Sequence, residues 1–239
     1  STGFTLESID FLSKLGLKRW KLPSGEINNI PLLRKVASQN QPTIISTGMA
    51  SLGEIEIALE TLYENNLDKK KISVLHCNTA YPTPMEDVNL KAINTIKNSF
   101  DINVGFSDHT EGIEASIAAV AIGAQIIEKH ITLDKNMTGP DHKASIEPGE
   151  LHNLVNSIRN IEKAIGNGIK SPSNSEIINI KVARKSIVAS KCIKKGEIYT
   201  NDNLSVKRPG IGLPPTMLDL ILGARSNREY QINELIDLN

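Results

Sequence analysis

The stretch that decides the fold runs from residue 42 to residue 76 and reads PTIISTGMASLGEIEIALETLYENNLDKKKISVLH. It begins with a short apolar run at residues 42–47 and ends with another at residues 72–76. Between them, at residues 52–63, apolar side chains recur three and four positions apart. Short continuous apolar runs are typical of buried parallel strands, and the spacing between them is typical of an amphipathic helix. The stretch therefore predicts a βαβ unit with a right-handed crossover.

The same alternation extends to both sides of this unit. Further strands are predicted at residues 18–22, 104–107 and 126–133, and further helices at residues 6–15, 31–38, 89–98 and 113–121. Alternating strands and helices indicate an α/β fold with a parallel sheet. The glycine-rich phosphate fingerprints of an open, doubly wound sheet are absent from the sequence. We therefore expect a (β/α)8 barrel.

Five predicted strands are fewer than the eight of a complete barrel. A complete barrel takes about 250 residues, whereas the five strands occupy about 165. The chain also begins at Ser1 without a starting Met, in a segment that is typical of the end of a strand. We therefore expect the N-terminal strands of the barrel to be missing and the sheet to keep an uncovered edge.

A domain boundary follows the predicted barrel. Residues 166–176, GNGIKSPSNSE, concentrate Gly, Ser, Asn and Pro, a composition that is typical of a linker. Short β-like runs come after it, at residues 186–189, 197–199 and 204–207. We therefore expect a partial barrel domain over residues 1–165 and a small β-rich domain over residues 177–239.

Composition argues against several functional classes. The 239 residues include 27 Lys and Arg and 27 Asp and Glu, so the net charge is zero and lacks the excess of positive charge typical of nucleic-acid binding. The two cysteines, Cys77 and Cys192, are too few for a disulfide framework, which fits a reducing compartment. No apolar run approaches the roughly 18 residues of a membrane span. We expect a cytoplasmic protein that binds neither nucleic acid nor membranes.

Polar side chains stand at the end of every predicted strand. In a (β/α)8 barrel the active site lies at the carboxyl ends of the strands. A single polar residue at such a place is often a helix cap or a turn former, but here five consecutive strands share the pattern. The residues concerned are Lys21, Ser24, Glu26, Ser46, Thr79, Tyr81, Ser107, His109, Glu128 and His130. The pattern predicts an active site at this edge of the sheet.

Two of these residues, His109 and His130, end neighbouring predicted strands. Each can offer a neutral imidazole nitrogen to a metal, and in a barrel the two are close enough to share one ion. The alternative is that they are hydrogen-bonded barrel residues without a metal. Two imidazoles with water favour a divalent ion such as Mn²⁺, with Mg²⁺ or Co²⁺ as alternatives, acting as a Lewis acid on a carbonyl oxygen. Ser107 and Glu128, each two positions earlier on a strand, share the face of these imidazoles.

The remaining strand-end residues suit an anionic substrate. One ammonium and several small hydroxyl donors face a common mouth, at Lys21, Ser24, Ser46, Thr79 and Ser107. Such donors predict a phosphate site. Lys21 and Lys129 also leave a lysine-imine aldolase open as an alternative. The loop at residues 139–145, which contains Asp141, is either a lid over this site or an ordinary turn between strand and helix.

Nine short motifs mark the predicted strand ends and the small domain. In the first region they are KLPSGE (21–26), ISTGM (45–49), HCNTAYPTP (76–84), GFSDHT (105–110), IEKH (127–130) and GPDHKAS (139–145). In the second they are ARKSIVA (183–189), KKGE (194–197) and VKRPGIG (206–212). Together they resemble the N-acetylneuraminate synthase family, which makes sialic acids and carries a C-terminal antifreeze-like (SAF) domain. The resemblance spans essentially the whole chain, in the family's order.

The resemblance implies a barrel and an SAF domain that assemble as a domain-swapped homodimer, in which the SAF domain caps the partner's active site. It implies that His109 and His130 bind the metal. The pocket for phosphoenolpyruvate would be lined by Thr2, Lys21, Ser24, Ser46, Thr79 and Ser107. The amino sugar would be contacted by Glu26, Tyr81, Glu128 and Asp141, with Arg208 reaching the N-acetyl group from the partner subunit. Thr79 stands where family members carry Asn, so either Thr79 or the neighbouring Asn78 is expected to meet the phosphate.

The implied reaction condenses phosphoenolpyruvate with N-acetylmannosamine, an N-acetylated hexosamine, to give N-acetylneuraminate and phosphate. C3 of phosphoenolpyruvate attacks the sugar's aldehyde carbon, water adds at C2, and phosphate leaves by C–O cleavage, with Glu26 expected to take the water's proton. Legionaminic and pseudaminic acid synthases are the close alternatives, and the loop at residues 139–145 argues against the second. An alternative from another class is a truncated, non-catalytic chain that serves only in binding or assembly.

Overall fold

The computed structural model describes residues 1–238 and divides the chain into two compact units, residues 1–167 and the residues from 168 onward. The helices of the first unit are α1 (Leu6–Lys14), α2 (Ile30–Ala37), α3 (Leu52–Glu64), α4 (Lys91–Phe100), α5 (Glu114–Ala121) and α6 (Pro148–Ile165). Its strands are β1 (Trp20–Leu22), β2 (Thr43–Ser46), β3 (Ile72–Cys77), β4 (Asn103–Asp108) and β5 (Ile127–Lys129). The predicted alternation of strands and helices is confirmed.

The unit formed by β2, α3 and β3 shows why the sequence folds in this way. Ser51 begins α3 with a capping box: its hydroxyl accepts from the Glu54 N–H, and the Glu54 carboxylate accepts from the Ser51 N–H at 2.8 Å. The helix buries Ile55, Leu59 and Leu62, spaced three and four residues apart as predicted. Its apolar stripe therefore packs on the sheet, and the chain returns to a parallel strand.

The five strands form one parallel sheet in the order β1-β2-β3-β4-β5. Side chains of parallel strands alternate between two faces. The outer face carries Trp20, Leu22, Ile45, Val74 and Phe106, which lie in one core with apolar residues of the helices. The inner face is lined by the alternate residues, many of them polar. The apolar residues that form the core therefore lie on one face of the sheet, and the polar residues of the candidate site lie on the other face.

The sheet is strongly curled. Strands in a sheet lie about 4.8 Å apart, so in a flat sheet β1 and β5 would be separated by about 19 Å. The Lys21 ammonium on β1 nevertheless lies 3.5 Å from the Glu128 carboxylate on β5. Even extended, these two side chains could not span a flat sheet, so the inner face must be concave. Within residues 1–238, β1 and β5 each pair with one other strand, as expected for an unclosed ring. An eight-stranded barrel stays a prediction.

Several boundaries differ from the sequence-based prediction because they depend on hydrogen-bond partners. The strand predicted at residues 126–133 is limited to Ile127–Lys129, and beyond it the chain makes one parallel bridge, between Ile131 and Ile146. Residues 197–199 form no strand, and Ile198 makes a single bridge to Arg225. The predicted linker at residues 166–176 overlaps helix α7 (Asn174–Ala183), whose capping box uses a Ser and a Glu that suggested a linker.

The second unit is a small β-rich domain. It contains α7, two antiparallel strands, β6 (Ser186–Ala189) and β7 (Leu204–Lys207), and the short helix α8 (Leu218–Ile221). Its core is formed by Ile187, Ala189, Ile193, Tyr199, Leu204, Ile221, Tyr230 and Ile236. Arg228 stacks 4.0 Å above the Tyr230 ring and pairs with Glu234 and Asp237, which closes the C-terminal end of this core.

The longest helix of either unit is α6, with 18 residues. Within residues 1–238, no helix has both the length and the apolar character that crossing a membrane requires. Cys77 and Cys192 are both free thiols, the first buried and the second exposed.

A buried ion pair fastens β5 to β4 on the outer face of the sheet. The Lys129 ammonium lies 3.1 Å from the Asp108 carboxylate, and their side chains are 4% and 0% exposed. The carboxylate also accepts from the hydroxyls of Thr110 and Ser116, and Lys129 donates to the Thr110 carbonyl. Burial lowers the pKa of Lys129, and the nearby carboxylate opposes that shift. A lysine tied in this way faces away from the inner face, which argues against Lys129 as an imine-forming residue.

The first prediction concerns this pair. Lys129→Met should lower the free energy of unfolding by about 3–5 kcal/mol, because it leaves a buried carboxylate without its counter-ion. Urea unfolding followed by circular dichroism measures the change. Lys69→Met is the matched control, since the Lys69–Asp101 pair lies at the surface and should contribute little. Equal losses for the two variants would contradict the assigned role of the buried pair.

Candidate active site

A chain of polar contacts crosses the inner face near the strand ends. Register pairs Ser107 with Glu128, so the two side chains project to the same face. The Ser107 hydroxyl donates to Glu128 Oε1 at 2.7 Å, and the Lys21 ammonium lies 3.5 Å from the same oxygen. Ser107 Oγ is also 3.4 Å from His109 Nε2. Four residues predicted from strand ends are thus in contact across the curled sheet.

His109 presents a free lone pair to this site. It is 6% exposed, and its Nδ1 lies 2.6 Å from the carbonyl oxygen of Asn78. Since a carbonyl can only accept, Nδ1 carries a proton, and in the neutral imidazole Nε2 is therefore unprotonated. Ser107 gives its proton to Glu128, so it does not occupy the Nε2 lone pair. Burial lowers the pKa of His109, with the neighbouring His130 as a smaller cause, which favours the neutral imidazole.

Two further aromatic rings surround His109. The His130 ring lies edge-on to it, with 5.3 Å between centroids and 83° between planes. Tyr81 covers both, at 4.1 Å from the His109 ring and 5.5 Å from the His130 ring. Asp141, in the loop after β5, brings Oδ2 to 3.9 Å from His130 Nδ1. Burial and nearby acidic groups raise the pKa of Tyr81, so the phenol stays protonated and able to donate. We call Tyr81, His109, His130 and Asp141 the imidazole cluster.

The loops that follow β1, β2 and β3 meet at a second point, which we call the strand-end junction: Ser24, Gly48, Cys77 and Thr79. Gly48 has φ of +46°, and a Cβ built on it would lie 2.4 Å from the Ser24 Cβ and 2.9 Å from the Thr79 Cγ2. Only glycine permits so close an approach. The Cys77 sulfur lies 3.2 Å from the Ser24 hydroxyl and accepts from the Gly48 N–H at 3.1 Å. Three loops are thereby held together.

The junction bears on the choice between Asn78 and Thr79. The Asn78 side chain accepts from the Ala80 N–H at 2.7 Å and donates to the Asp87 carbonyl, so it serves its own loop. Its backbone carbonyl orients His109. Thr79, by contrast, lies against Gly48 beside Ser24. The Thr79 side chain is therefore part of the junction, with its methyl group toward Gly48, whereas the Asn78 side chain is not.

Ser46, at the end of β2, has a hydroxyl with an unused hydrogen-bonding capacity. It is 3% exposed and has no hydrogen-bond partner within residues 1–238. It registers with Leu75 and shares the inner face with Cys77, two residues further along β3. A buried hydroxyl left without a partner costs about 1–3 kcal/mol. Ser46 therefore keeps an unused hydrogen bond on the inner face of β2.

Three predicted site residues have other contacts. Glu26 accepts from the Asn29 amide at 2.6 Å, and Asn29 in turn caps α2. Thr2 is half-buried just ahead of α1. Arg208 belongs to the second unit, where its Nε donates to the Ala183 carbonyl at 2.9 Å. The contact of Glu26 with Asn29 lies outside the two clusters described above.

Sequence reasoning missed two residues of the strand-end junction, Gly48 and Cys77. The signal for Gly48 was available, because a glycine directly after a strand often marks a close approach of two backbones. The signal for Cys77 was its place in the alternation of β3, where it registers with Ser107 on the inner face. Cys77 was missed because cysteine at a buried strand position usually packs as a small apolar residue.

The donor set at the imidazole cluster limits how a metal could bind. His109 and His130 offer two ring nitrogens at neighbouring strand ends. Within residues 1–238, no group of three or more His, Cys, Asp or Glu side chains is arranged to hold a metal ion. An ion here would therefore take two protein nitrogens and complete its shell with water or substrate, which suits an open, exchangeable site.

Comparison with known proteins agrees with this architecture. Residues 1–170 match the NeuB family, and residues 184–238 match the SAF domain. The chain is 55% identical to the N,N'-diacetyllegionaminic acid synthase of Campylobacter jejuni, over 99% of this chain and 71% of that protein. It is 46% identical to the enzyme of the same name from Legionella pneumophila, over 94% of this chain and 64% of that protein.

A solved structure gives the same result. The N-acetylneuraminic acid synthetase of Leptospira borgpetersenii, crystallised with citrate, superposes with a TM-score of 0.69 at 38% identity, over 75% of this chain and 62% of that one. The half-barrel with its curled parallel sheet, the polar strand ends and the second β-rich domain thus have one explanation. The chain belongs to the NeuB family of sialic-acid-type synthases and carries its SAF domain.

Proposed function

We propose that this protein condenses phosphoenolpyruvate with an acetamido sugar to form N,N'-diacetyllegionaminic acid and phosphate. The observation that carries the choice of product is the 55% identity, over 236 residues, to a synthase of that acid. The sequence alone had favoured N-acetylneuraminate, with legionaminic acid as the alternative, and the comparisons support the alternative better. N,N'-diacetyllegionaminic acid contains two acetamido groups, so its synthase requires a sugar substrate that carries both. The sugar substrate for N-acetylneuraminate carries one.

Phosphoenolpyruvate binds at the junction side of the concave face. Lys21 supplies the positive charge, and the hydroxyls of Ser24, Ser46 and Thr79 supply neutral donors. Support comes from the Ser46 hydroxyl, which is buried without a partner, and from the close packing of Ser24 and Thr79 against Gly48. Several convergent donors around one ammonium bind a phosphoryl group well. Ser107 and Thr2 complete the proposed pocket.

The sugar aldehyde binds at the imidazole cluster. His109 and His130 would hold a divalent ion, Mn²⁺ in this proposal, which would polarise the aldehyde oxygen. Tyr81, Glu128 and Asp141 orient the sugar, and the neutral His109 imidazole offers the lone pair that the ion needs. The distance between the two rings supports a shared ligand role.

Bond making proceeds between these two ends of the site. C3 of phosphoenolpyruvate forms a bond with the aldehyde carbon, and the aldehyde oxygen becomes a hydroxyl. Water then adds at C2, and one of its protons replaces the one taken up by the aldehyde oxygen. Phosphate leaves by C–O cleavage with the other proton, which yields the 2-keto acid. Glu26 accepts the water's proton, held in orientation by the Asn29 amide. Lys21 stabilises the charge on the departing phosphate.

The second prediction separates the candidate products. Turnover should favour the sugar with two acetamido groups over N-acetylmannosamine by at least about tenfold in kcat/KM, because buried groups that bond the second amide are left unpaired by the simpler sugar. Phosphate release and mass spectrometry of the keto acid measure both reactions. Equal or better use of N-acetylmannosamine would return the assignment to N-acetylneuraminate synthase.

The third prediction tests the metal ligands. His109→Ala should weaken Mn²⁺ binding in a calorimetric titration and lower kcat by at least about a hundredfold, since a Lewis acid contributes several kcal/mol to catalysis. His152→Ala is the control, because His152 lies exposed on α6, where its Nε2 hydrogen-bonds the Asn156 amide. Unchanged Mn²⁺ affinity in His109→Ala, with the fold intact by circular dichroism, would remove His109 from the metal site.

The fourth prediction concerns Arg208 in the proposed domain-swapped dimer. Arg208→Ala should lower kcat/KM for the sugar about ten- to a hundredfold and leave phosphoenolpyruvate binding unchanged, because a charge-assisted hydrogen bond to the acetamido carbonyl is lost. Arg225→Ala is the matched control, since both arginines are exposed in the second unit and each donates to a backbone carbonyl.

A mixed dimer tests whether Arg208 acts across subunits. One subunit carries Arg208→Ala and the other carries His109→Ala. If Arg208 serves the partner's site, one intact site re-forms and mixing restores about half the activity of a wild-type dimer. Activity no higher than that of either variant alone contradicts the cross-subunit role.

A further inference from the structure

Cys77 has contacts that no step of the proposed reaction uses. It ends β3 on the inner face of the sheet, is 2% exposed, and registers with Ser107. Its sulfur lies 3.1 Å from the Gly48 nitrogen and 3.2 Å from the Ser24 hydroxyl oxygen. A thiol that served only as apolar filling would not need polar partners from two other loops.

One of these two hydrogen bonds has a fixed direction, and the other can run either way. The Gly48 N–H can only donate, so the Cys77 sulfur accepts from it. The thiol proton is then available to the Ser24 oxygen. In that arrangement Ser24 receives a bond from Cys77 and keeps its own proton for a further acceptor. With the thiol as donor, Ser24 is left with its own proton to donate.

The packing of the junction fixes this geometry. Gly48 approaches Ser24 and Thr79 so closely that even a Cβ would overlap both. Because Gly48 crowds Ser24, the Ser24 side chain has little freedom to move away from the thiol. A separate observation on the same inner face is Ser46, which is buried with a hydroxyl that lacks a partner within residues 1–238. Two hydroxyls with protons to donate favour an anionic ligand.

We propose that Cys77 is a positioning residue for the phosphoryl group, acting through Ser24 and the Gly48 turn. The identity of the ligand rests on the proposed function, in which this group belongs to phosphoenolpyruvate. The role of Cys77 requires no thiolate and no covalent step. It consists of one accepted and one donated hydrogen bond.

Variants of Cys77 test the proposal through binding. Cys77→Ala should raise the Kd for phosphoenolpyruvate about five- to tenfold, the loss expected for about one hydrogen bond, and leave the KM for the sugar within about twofold. Cys77→Ser, which keeps a donor and an acceptor, should restore most of the affinity. Cys192→Ala is the control, because Cys192 is exposed in the second unit. Calorimetry gives the Kd, and thermal unfolding reports the fold.

A double-mutant cycle separates positioning from general packing. If Cys77 acts through Ser24, Cys77→Ala should have little further effect on phosphoenolpyruvate binding in a Ser24→Ala background. Additive losses would show that the thiol does not act through Ser24 and would overturn the proposal. So would a Cys77→Ala variant that unfolds at a lower temperature but binds phosphoenolpyruvate with the wild-type Kd.

A measurement on the intact thiol covers the case in which Cys77→Ala fails to fold. In Cys192→Ala protein, Cys77 is the remaining cysteine. Saturating inorganic phosphate or phosphoenolpyruvate should slow its reaction with methyl methanethiosulfonate at least about fivefold, because the ligand covers the junction. An unchanged rate at saturation would place the ligand elsewhere and overturn the proposal.

The same experiments distinguish this inference from the proposed function. A chain that binds inorganic phosphate but makes no keto acid from either sugar overturns the proposed function alone, and the response of phosphate binding to Cys77→Ala still decides the role of the thiol. A wild-type chain that binds neither probe overturns both. Phosphoenolpyruvate binding and turnover with no response to Cys77→Ala overturns only the role of Cys77.

Discussion

The contact between Lys21 on the first strand and Glu128 on the fifth is the constraint on which the site depends. It spans the concave face at 3.5 Å and can exist only if the sheet curls. The curl brings hydroxyls from the loops after β1, β2 and β3 opposite the imidazoles at the ends of β4 and β5. A flat sheet with the same residues would hold these groups too far apart to form one site.

Alternation along each strand explains how one short sequence supports both folding and chemistry. Ser107 and Asp108 are neighbours in the chain, and so are Glu128 and Lys129. Ser107 and Glu128 bond each other on the inner face, whereas Asp108 and Lys129 form a buried ion pair on the outer face. The residues that stabilise the sheet and the residues of the candidate site are thus neighbours in the chain. A shift of one residue in the pairing of β5 would turn Lys129 to the inner face and Glu128 to the outer face.

The sequence was sufficient for features that depend on periodicity, and insufficient for those that depend on contacts between loops. All five parallel strands and the helices between them follow from apolar spacing. The end of β5 does not, because it is set by where the hydrogen-bond partner stops. The capping box of α7 resembled a linker because Ser and Glu are common to both. Cys77 was missed since its partners come from loops after two other strands.

The two clusters also explain why identity of the sugar is the hardest property to read from residues. The groups proposed to bind a phosphoryl group are one charge and several hydroxyls, whose chemistry specifies an anion. The groups proposed to contact the sugar are Tyr81, Glu128 and Asp141, which can bond any sugar rich in hydroxyls and amides. Discrimination between one and two acetamido groups must then come from the shape of the pocket and from which donors are left unpaired. Residue types therefore indicate the class of reaction more closely than the identity of the sugar. The identity of the sugar has to be inferred from similarity over the whole chain.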